Sequence, residues 1–235
     1  MNVMKHNNVE VIVPKAQHCC GTPILAHGEQ KTAKAMALDH VNLFKNMDVD
    51  YIVTVCGSCA LSLKEHYPEL LEDTDAYQDS LKVAAKVIDW SDFIMNVVKA
   101  DVSGLHTAKM VATYHDPCHL RRGIGVIEPP RQILRDLPDI DFREMKKPNR
   151  CCGSAGSFSL THYDLSMDIQ KKKCEDIEQT GADVVVTGCG SCMMQLTDGQ
   201  KRFGGHCSVK HTVEILSDAY NQSDRSNRMA GMKKK

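Results

Sequence analysis

The sequence predicts an α/β protein of two related lobes, each a small, mostly parallel sheet flanked by helices. Three observations predict it. The chain repeats itself: His18-Cys19-Cys20-Gly21 returns as Arg150-Cys151-Cys152-Gly153, and the ten residues Asp50 to Cys59 (DYIVTVCGSC) return as Asp183 to Cys192 (DVVVTGCGSC). In each copy a segment of helical period feeds a short, β-rich apolar run. In each copy a CxxC then stands where that run ends, the end of an open α/β sheet at which sites are built.

The repeat is regular in its spacing. Cys19 and Cys151 are 132 residues apart, Cys56 and Cys189 are 133 apart, and 35 and 36 residues separate the paired thiols within the two copies. Val9 to Val13 reads as a strand leading into Cys19-Cys20. Ala33, Ala37, Val41 and Phe44 recur at helical spacing, and Tyr51 to Val55 is the strand that follows. In the second copy Lys109 to Tyr114 leads into His115-Asp116-Pro117-Cys118, and Val209 to Leu216 starts a closing strand and helix.

The copies are unequal. Cys118 stands well before Cys151, whereas only eighteen residues precede Cys19, so the counterpart of Cys118 falls upstream of Met1. The expectation is an N-terminally shortened chain, through a late start codon, a split gene or an incomplete gene model. Residues 1–105 form the first half, lacking its leading strand and cysteine, residues 106–220 the second, complete half, and residues 221–235 a disordered polar tail.

Composition narrows the function. Lys plus Arg (29) balance Asp plus Glu (30), so no net field draws the chain to nucleic acid or anionic lipid. Aromatics at 5% with one Trp suit neither a base-stacking platform nor a sugar groove. No stretch of 18 apolar residues or secretory leader is present, which predicts a cytoplasmic protein that meets membranes only through partners. Eleven cysteines are the anomaly, because a reducing compartment turns crowded thiols toward metal or redox chemistry.

Adjacent cysteines before a glycine, converging with a CxxC, place four thiolates around one point, and iron or zinc is the natural occupant. Gly21 and Gly153 suit backbone turning sharply beside an inorganic group. The first half offers Cys19, Cys20, Cys56 and Cys59. The second offers Cys118, Cys151, Cys152, Cys189 and Cys192, one thiolate beyond what a tetrahedral zinc or a cubane uses. Cys174 aligns with Val41 as a small core residue, and Cys207 has no counterpart. His115, Asp116, His119, Arg121 and Arg122 crowd around Cys118; His115, His119 and Arg121 are candidates to tune the sulfurs, although Asp116-Pro117 reads equally as a plain helix start. His18, His27 and His211 read as surface or packing histidines.

At these residues the chain resembles the cysteine-rich CCG family, over about residues 9 to 220. The leading Cys, CCG and CxxC carry the likeness, with His115-Asp116-Pro117-Cys118-His119-Leu120 and Gly181 to Thr187. The family includes the heterodisulfide reductase catalytic subunit and the iron–sulfur subunits of glycolate oxidase, lactate utilisation enzymes and anaerobic glycerol-3-phosphate dehydrogenase. Tyr114 to Arg122 and His211-Thr212-Val213-Glu214 look closest to the glycolate or D-lactate oxidase type. The resemblance implies a [4Fe-4S] cluster on each complete cysteine set and two halves about a pseudo-two-fold axis. The second half matches a complete set and the first matches four of five, which leaves a second cluster, a zinc or nothing there.

The function so implied is an electron-transfer subunit of a flavin-dependent 2-hydroxyacid dehydrogenase, with a flavin subunit and a ferredoxin-like iron–sulfur segment or subunit as partners. No GxGxxG or other nucleotide cradle is present, so substrate oxidation falls to the flavin partner. Two further readings stand beside it: a disulfide-reducing catalytic subunit of the heterodisulfide reductase type, and a zinc-binding docking module.

Overall fold

Val184-Val185-Val186-Thr187 is buried along its whole length, the signature of a strand covered on both faces of a parallel sheet. The computed structural model describes the backbone of residues 1–232 and the side chains of residues 1–226. The first half runs α1 (Asn2–His6), α2 (Thr22–Ala26), α3 (Gln30–Phe44), β1 (Ile52–Thr54), α4 (Gly57–Leu61), a wider π-type turn over Ser62–His66, α5 (Tyr67–Leu71), α6 (Tyr77–Lys86), β2 (Val87–Asp89) and α7 (Trp90–Asp92). The second runs β3 (Met110–His115), another wide turn (His119–Gly123), α8 (Glu128–Asp136), β4 (Ile140–Phe142), α9 (Phe158–Thr161), α10 (Tyr163–Glu178), β5 (Val184–Thr187), α11 (Gly190–Arg202), β6 (Ser208–His211) and α12 (Thr212–Met232).

The two sheets share one plan, and one of them is partial. In the second half the order is β4-β3-β5-β6, all parallel; in the first, β1 pairs with β2 alone. By the repeat, β1 corresponds to β5 and β2 to β6. Val9 to Val13, expected as a strand, joins no ladder. Its counterpart β4 pairs with β3, and the first half of this chain holds no equivalent of β3 to pair with.

Packing crosses the boundary expected at 105/106. One apolar core draws Met4, Trp90 and Ile94 from the first half together with Tyr114, Ile133, Leu134, Val186 and Leu216 from the second. Each such side chain, fully buried, contributes roughly 1.5–3 kcal/mol, so neither half keeps its core alone. A second core under the first sheet joins Val41, Leu63, Tyr67 and Leu71, and a third joins Ile177, Val185 and Leu196 to Cys152, Cys189 and Cys192.

The expected disordered tail is corrected in part. Helix α12 continues past Asn221 to Met232, because α1 lies along it: Asn2 donates to Asn221 at 2.8 Å, Asn7 donates to the Tyr220 hydroxyl at 2.9 Å, and the His6 ring pairs with Asp224 at 3.1 Å. The remainder of that tail, residues 233–235, lies outside the described residues.

The two CxxC loops touch each other. Gly57 N–H donates to Gly188 O at 3.2 Å, and a Cβ at Gly57 would stand 2.9 Å from Leu120 Cβ and 3.0 Å from its backbone nitrogen. At the repeat-equivalent Gly190 an added Cβ meets nothing within 4 Å. Gly57→Ala is therefore expected to cost about 1–3 kcal/mol, by forcing backbone apart at a packed contact, whereas Gly190→Ala costs under about 0.5 kcal/mol. Parallel thermal or urea melts of the two variants check this, and equal losses would contradict it.

Candidate metal centre

Strands β1 and β5 deliver their CxxC loops in the same way. Cys56 and Cys189 sit in extended backbone (φ −142° and −152°) immediately before α4 and α11, which places Cys59 and Cys192 in the first turns of those helices. Free N–H groups at a helix start favour a thiolate. The second pair of thiols arrives on a tight turn. Gly153 has φ +96°, and a Cβ there would lie 2.6 Å from Ser166 O, so glycine alone fits. Ser166 donates to Gly153 O at 2.8 Å and Gly153 N–H donates to Cys151 Sγ at 3.3 Å. In the first half Gly21 has φ +80°, and the next residue, Thr22, sets its hydroxyl 3.2 Å from Cys20 Sγ.

The loop before each cysteine pair is held by an equivalent helix position. His40 Nε2 accepts from His18 N–H at 3.4 Å, while its Nδ1 meets the Tyr67 hydroxyl at 2.9 Å, and that hydroxyl donates to Cys20 O at 3.1 Å. Lys173, 133 residues on, donates to Lys147 O at 2.9 Å and Pro148 O at 3.0 Å just ahead of Cys151. Burial pulls the Lys173 ammonium down to about 8. Neither His40 nor Lys173 nor Tyr67 stands out in the sequence. Aligning the two copies beyond the cysteines is the signal that pairs His40 with Lys173.

Seven thiols form one continuous series across the lobe interface. Cys151 and Cys192 flank Cys152; Cys192 neighbours Cys189; Cys189 Sγ lies 3.8 Å from Cys56 Sγ; and Cys59 bridges Cys56 and Cys20. Cys118 is exposed and stands outside this series. The thiols cannot all ionise together. Hydrogen bonds from Cys151 and Cys192 hold Cys152 far below the ordinary thiol range, and those two are pushed up in consequence. The Cys59 thiol likewise pulls Cys20 down to about 5 and is itself pushed up. Packed thiols of this kind become thiolates as a group only beside cations, which is the donor set of a soft metal centre.

The structure places the remaining candidates as follows. Cys19 is exposed beside the first set. His115 is fully buried, both ring nitrogens lack hydrogen-bond partners, and a ring nitrogen lies within 4.8 Å of Cys152 Sγ and Cys192 Sγ. Burial holds its pKa below the ordinary imidazole value, so the ring is neutral with one N–H to donate. His119 Nδ1 reaches across to Ser58 Oγ at 2.9 Å, and that hydroxyl is 3.8 Å from Cys189 Sγ. Arg121 pairs with Asp116 at 2.5 Å, as a buttress of the turn. Cys174 is buried in α10, as Val41 is in α3, and the Cys207 thiol donates to Ala182 O at 2.9 Å.

The sequence family described as a cysteine-rich domain, CCG, matches residues 1–64 and 112–197. Among curated proteins the chain is 33% identical over 218 residues to lactate utilization protein A of Oceanobacillus iheyensis, covering 92% of this chain and 88% of that one. It is 33% identical over 221 residues to a subunit of the fumarate reductase (CoM/CoB) of Methanothermobacter marburgensis, covering 94% of this chain and 42% of that one. It is 33% identical over 215 residues to the probable glycolate oxidase iron-sulfur subunit of Bacillus subtilis, covering 89% and 48% respectively. The chain thus spans under half of the longer relatives and nearly all of the shorter one. No described helix is long and apolar enough to cross a membrane.

Proposed function

The chain belongs to the cysteine-rich CCG family, and from that premise we propose that it is an iron–sulfur electron-transfer subunit of an oxidoreductase complex oxidising a 2-hydroxyacid such as glycolate or lactate. The observation that carries this reading is the thiol series that crosses the lobe interface through Cys56 and Cys189, 3.8 Å apart. The names of the lactate utilization and glycolate oxidase relatives support the complex and substrate class.

Cys118, Cys151, Cys152, Cys189 and Cys192 would hold one [4Fe-4S] cluster, and Cys19, Cys20, Cys56 and Cys59 a second cluster or a zinc. A bound cluster supplies one-electron transfer. The chain's own residues orient the ligands. The CxxC helix starts, the left-handed turns at Gly21 and Gly153, and the His40 and Lys173 loop anchors fix the thiols before metal arrives. Hydride chemistry falls to a flavin-containing partner, with a ferredoxin-like iron–sulfur partner beyond it.

The test is iron, sulfide and zinc analysis with electron paramagnetic resonance on the complex purified without oxygen from its own cells. About four irons per occupied set, with a signal that changes when glycolate or lactate is added, is the expected result. Zinc alone, or iron indifferent to any 2-hydroxyacid, would sink it. A disulfide-reducing role is favoured by one observation, the contact of the two thiol sets at a shared interface, and disulfide-driven oxidation of the same signal would select it.

His115 would act on the centre through a hydrogen bond to a sulfur. His115→Leu is expected to keep the iron and lower the midpoint potential by about 40 mV, the one-electron equivalent of a hydrogen bond of about 1 kcal/mol. Potentiometric titration measures the shift, and loss of iron in that variant would make His115 a ligand instead.

A further inference from the structure

His40 on α3 and Lys173 on α10 occupy the same place in the two copies, each buried beneath the loop that delivers a cysteine pair, and they differ in charge. Hydrogen bonds fix both charge states. Lys173 is fully buried, and its Nζ reaches three atoms that only accept: Met145 Sδ at 3.0 Å, Lys147 O at 2.9 Å and Pro148 O at 3.0 Å. Three acceptors take three N–H donors, which an ammonium has and a neutral amine lacks. His40 Nε2, by contrast, accepts from the His18 N–H. The Tyr67 hydroxyl gives its own hydrogen to Cys20 O and so takes one from His40 Nδ1. A ring with one protonated and one bare nitrogen is a neutral imidazole.

The carboxylates within electrostatic reach of Lys173 are Asp116 and Asp176, and both are already matched. Asp116 pairs with Arg121 and Arg131, the second shared with Glu144, and Asp176 pairs with Arg150. Three carboxylates thus meet three guanidiniums, and among the described residues no carboxylate forms an ion pair with Lys173. A buried charge persists where an opposite charge compensates it. Here the thiol set supplies one. Lys173 grips the loop at Pro148, three residues ahead of Cys151, and Cys152 is among the groups that favour its proton.

We propose that Lys173 is the countercharge of the second thiol set: its fixed ammonium favours the more negative, reduced state of the centre held there. An electron handed over by the flavin-containing partner therefore comes to rest in the second half. The first set, over a neutral His40, has no such preference built beneath it. The sign is electrostatic. Reduction adds one negative charge to a thiolate-bound centre, and a cation already held nearby stabilises it. Through protein, a unit charge roughly 10 Å away shifts a one-electron equilibrium about tenfold. Lys173 bonds the loop rather than a cysteine sulfur, so it is a positioning residue. The electron-transfer consequence rests on the iron–sulfur reading above; the two charge states do not.

Potentiometric titration followed by electron paramagnetic resonance tests it, on the complex purified without oxygen from its own cells with parent, Lys173→Gln or Lys173→Met chains. Both variants remove the charge, and only glutamine keeps N–H groups for the loop carbonyls. At a fixed potential the reduced-to-oxidised ratio of the second-half signal should fall about tenfold in both, a midpoint lowered by about 59 mV, with iron per chain as in the parent. An unchanged midpoint with iron retained overturns the proposal. So does a shift confined to Lys173→Met, which makes Lys173 a loop anchor alone. Loss of iron from both variants overturns it as well, in favour of a role in assembly. Iron analysis of the parent separates the two readings: a parent without iron removes the iron–sulfur reading and this inference together, whereas iron without a shift removes the inference alone.

Discussion

Replacing Cys151 and Cys152 together by serine is expected to remove the second-half cluster, a loss of about four irons per chain with its paramagnetic signal. The two thiols arrive on one turn that only Gly153 permits. Cys152 is the inner member: it is buried, it accepts from both Cys151 and Cys192, and His115 stands beside it. Serine keeps the shape but not the soft donor, so affinity falls while the fold stays. Circular dichroism at parent-like amplitude would show that metal loss is not unfolding. A Cys56→Ser, Cys59→Ser variant provides the contrast, because it empties the first-half site and should leave the second-half signal in place. Iron unchanged by the first variant would refute the assignment, and loss of all iron from either variant would mean one shared centre across the 3.8 Å contact.

How much of this was legible in sequence follows from what a repeat can and cannot encode. The two lobes, the parallel sheets, the CxxC at the ends of β1 and β5 and the core role of Cys174 were readable, because spacing and periodicity are local and the duplication displays them twice. The joining of the lobes was not. Trp90 in a core with Tyr114 and Leu216, or Cys56 against Cys189, depends on long-range packing that no local pattern carries. Val9 to Val13 has strand composition and lies outside any ladder, since strand formation needs a neighbour as well as a propensity. Asn221 onward has tail composition and is helical as far as Met232, because α1 covers the beginning of that stretch. The basic residues around Cys118 were the least decidable. Their types suit sulfur tuning and turn building alike, and the structure divides them: His115 lies beside the thiols and Arg121 on Asp116.

That division makes Asp116 the residue whose loss should cost the fold most. Its side chain is 1% exposed and receives Arg131 Nη1 at 2.8 Å, Arg131 Nη2 at 3.0 Å and Arg121 Nη1 at 2.5 Å. Arg131, itself 4% exposed, is shared with Glu144, while Asp116 N–H donates to Pro148 O ahead of Cys151. Asp116→Ala leaves the buried guanidinium of Arg131 with Glu144 as its one carboxylate partner and should cost about 2–3 kcal/mol, a fall in Tm of roughly 4–12 °C for a chain of this size. Removing both partners, Asp116→Leu with Arg131→Met, should recover most of that loss, since the penalty comes from guanidinium N–H groups left buried without their acceptor; a double variant no more stable than the single one would refute the explanation. The pH dependence has a definite sign. Burial pushes the Asp116 carboxyl up, but the Arg131 and Arg121 guanidiniums outweigh it and hold the carboxyl below its usual range. The unfolded carboxyl titrates near 3.9, so the stabilisation is complete above about pH 4 and is lost as the pH falls through the lower folded value. The stability gap between the parent and Asp116→Asn should therefore hold constant from neutral pH down to about 4 and narrow below it. Urea titrations across that range measure the gap, and one that widened in acid would place the carboxyl above its usual range and outside the ion pair.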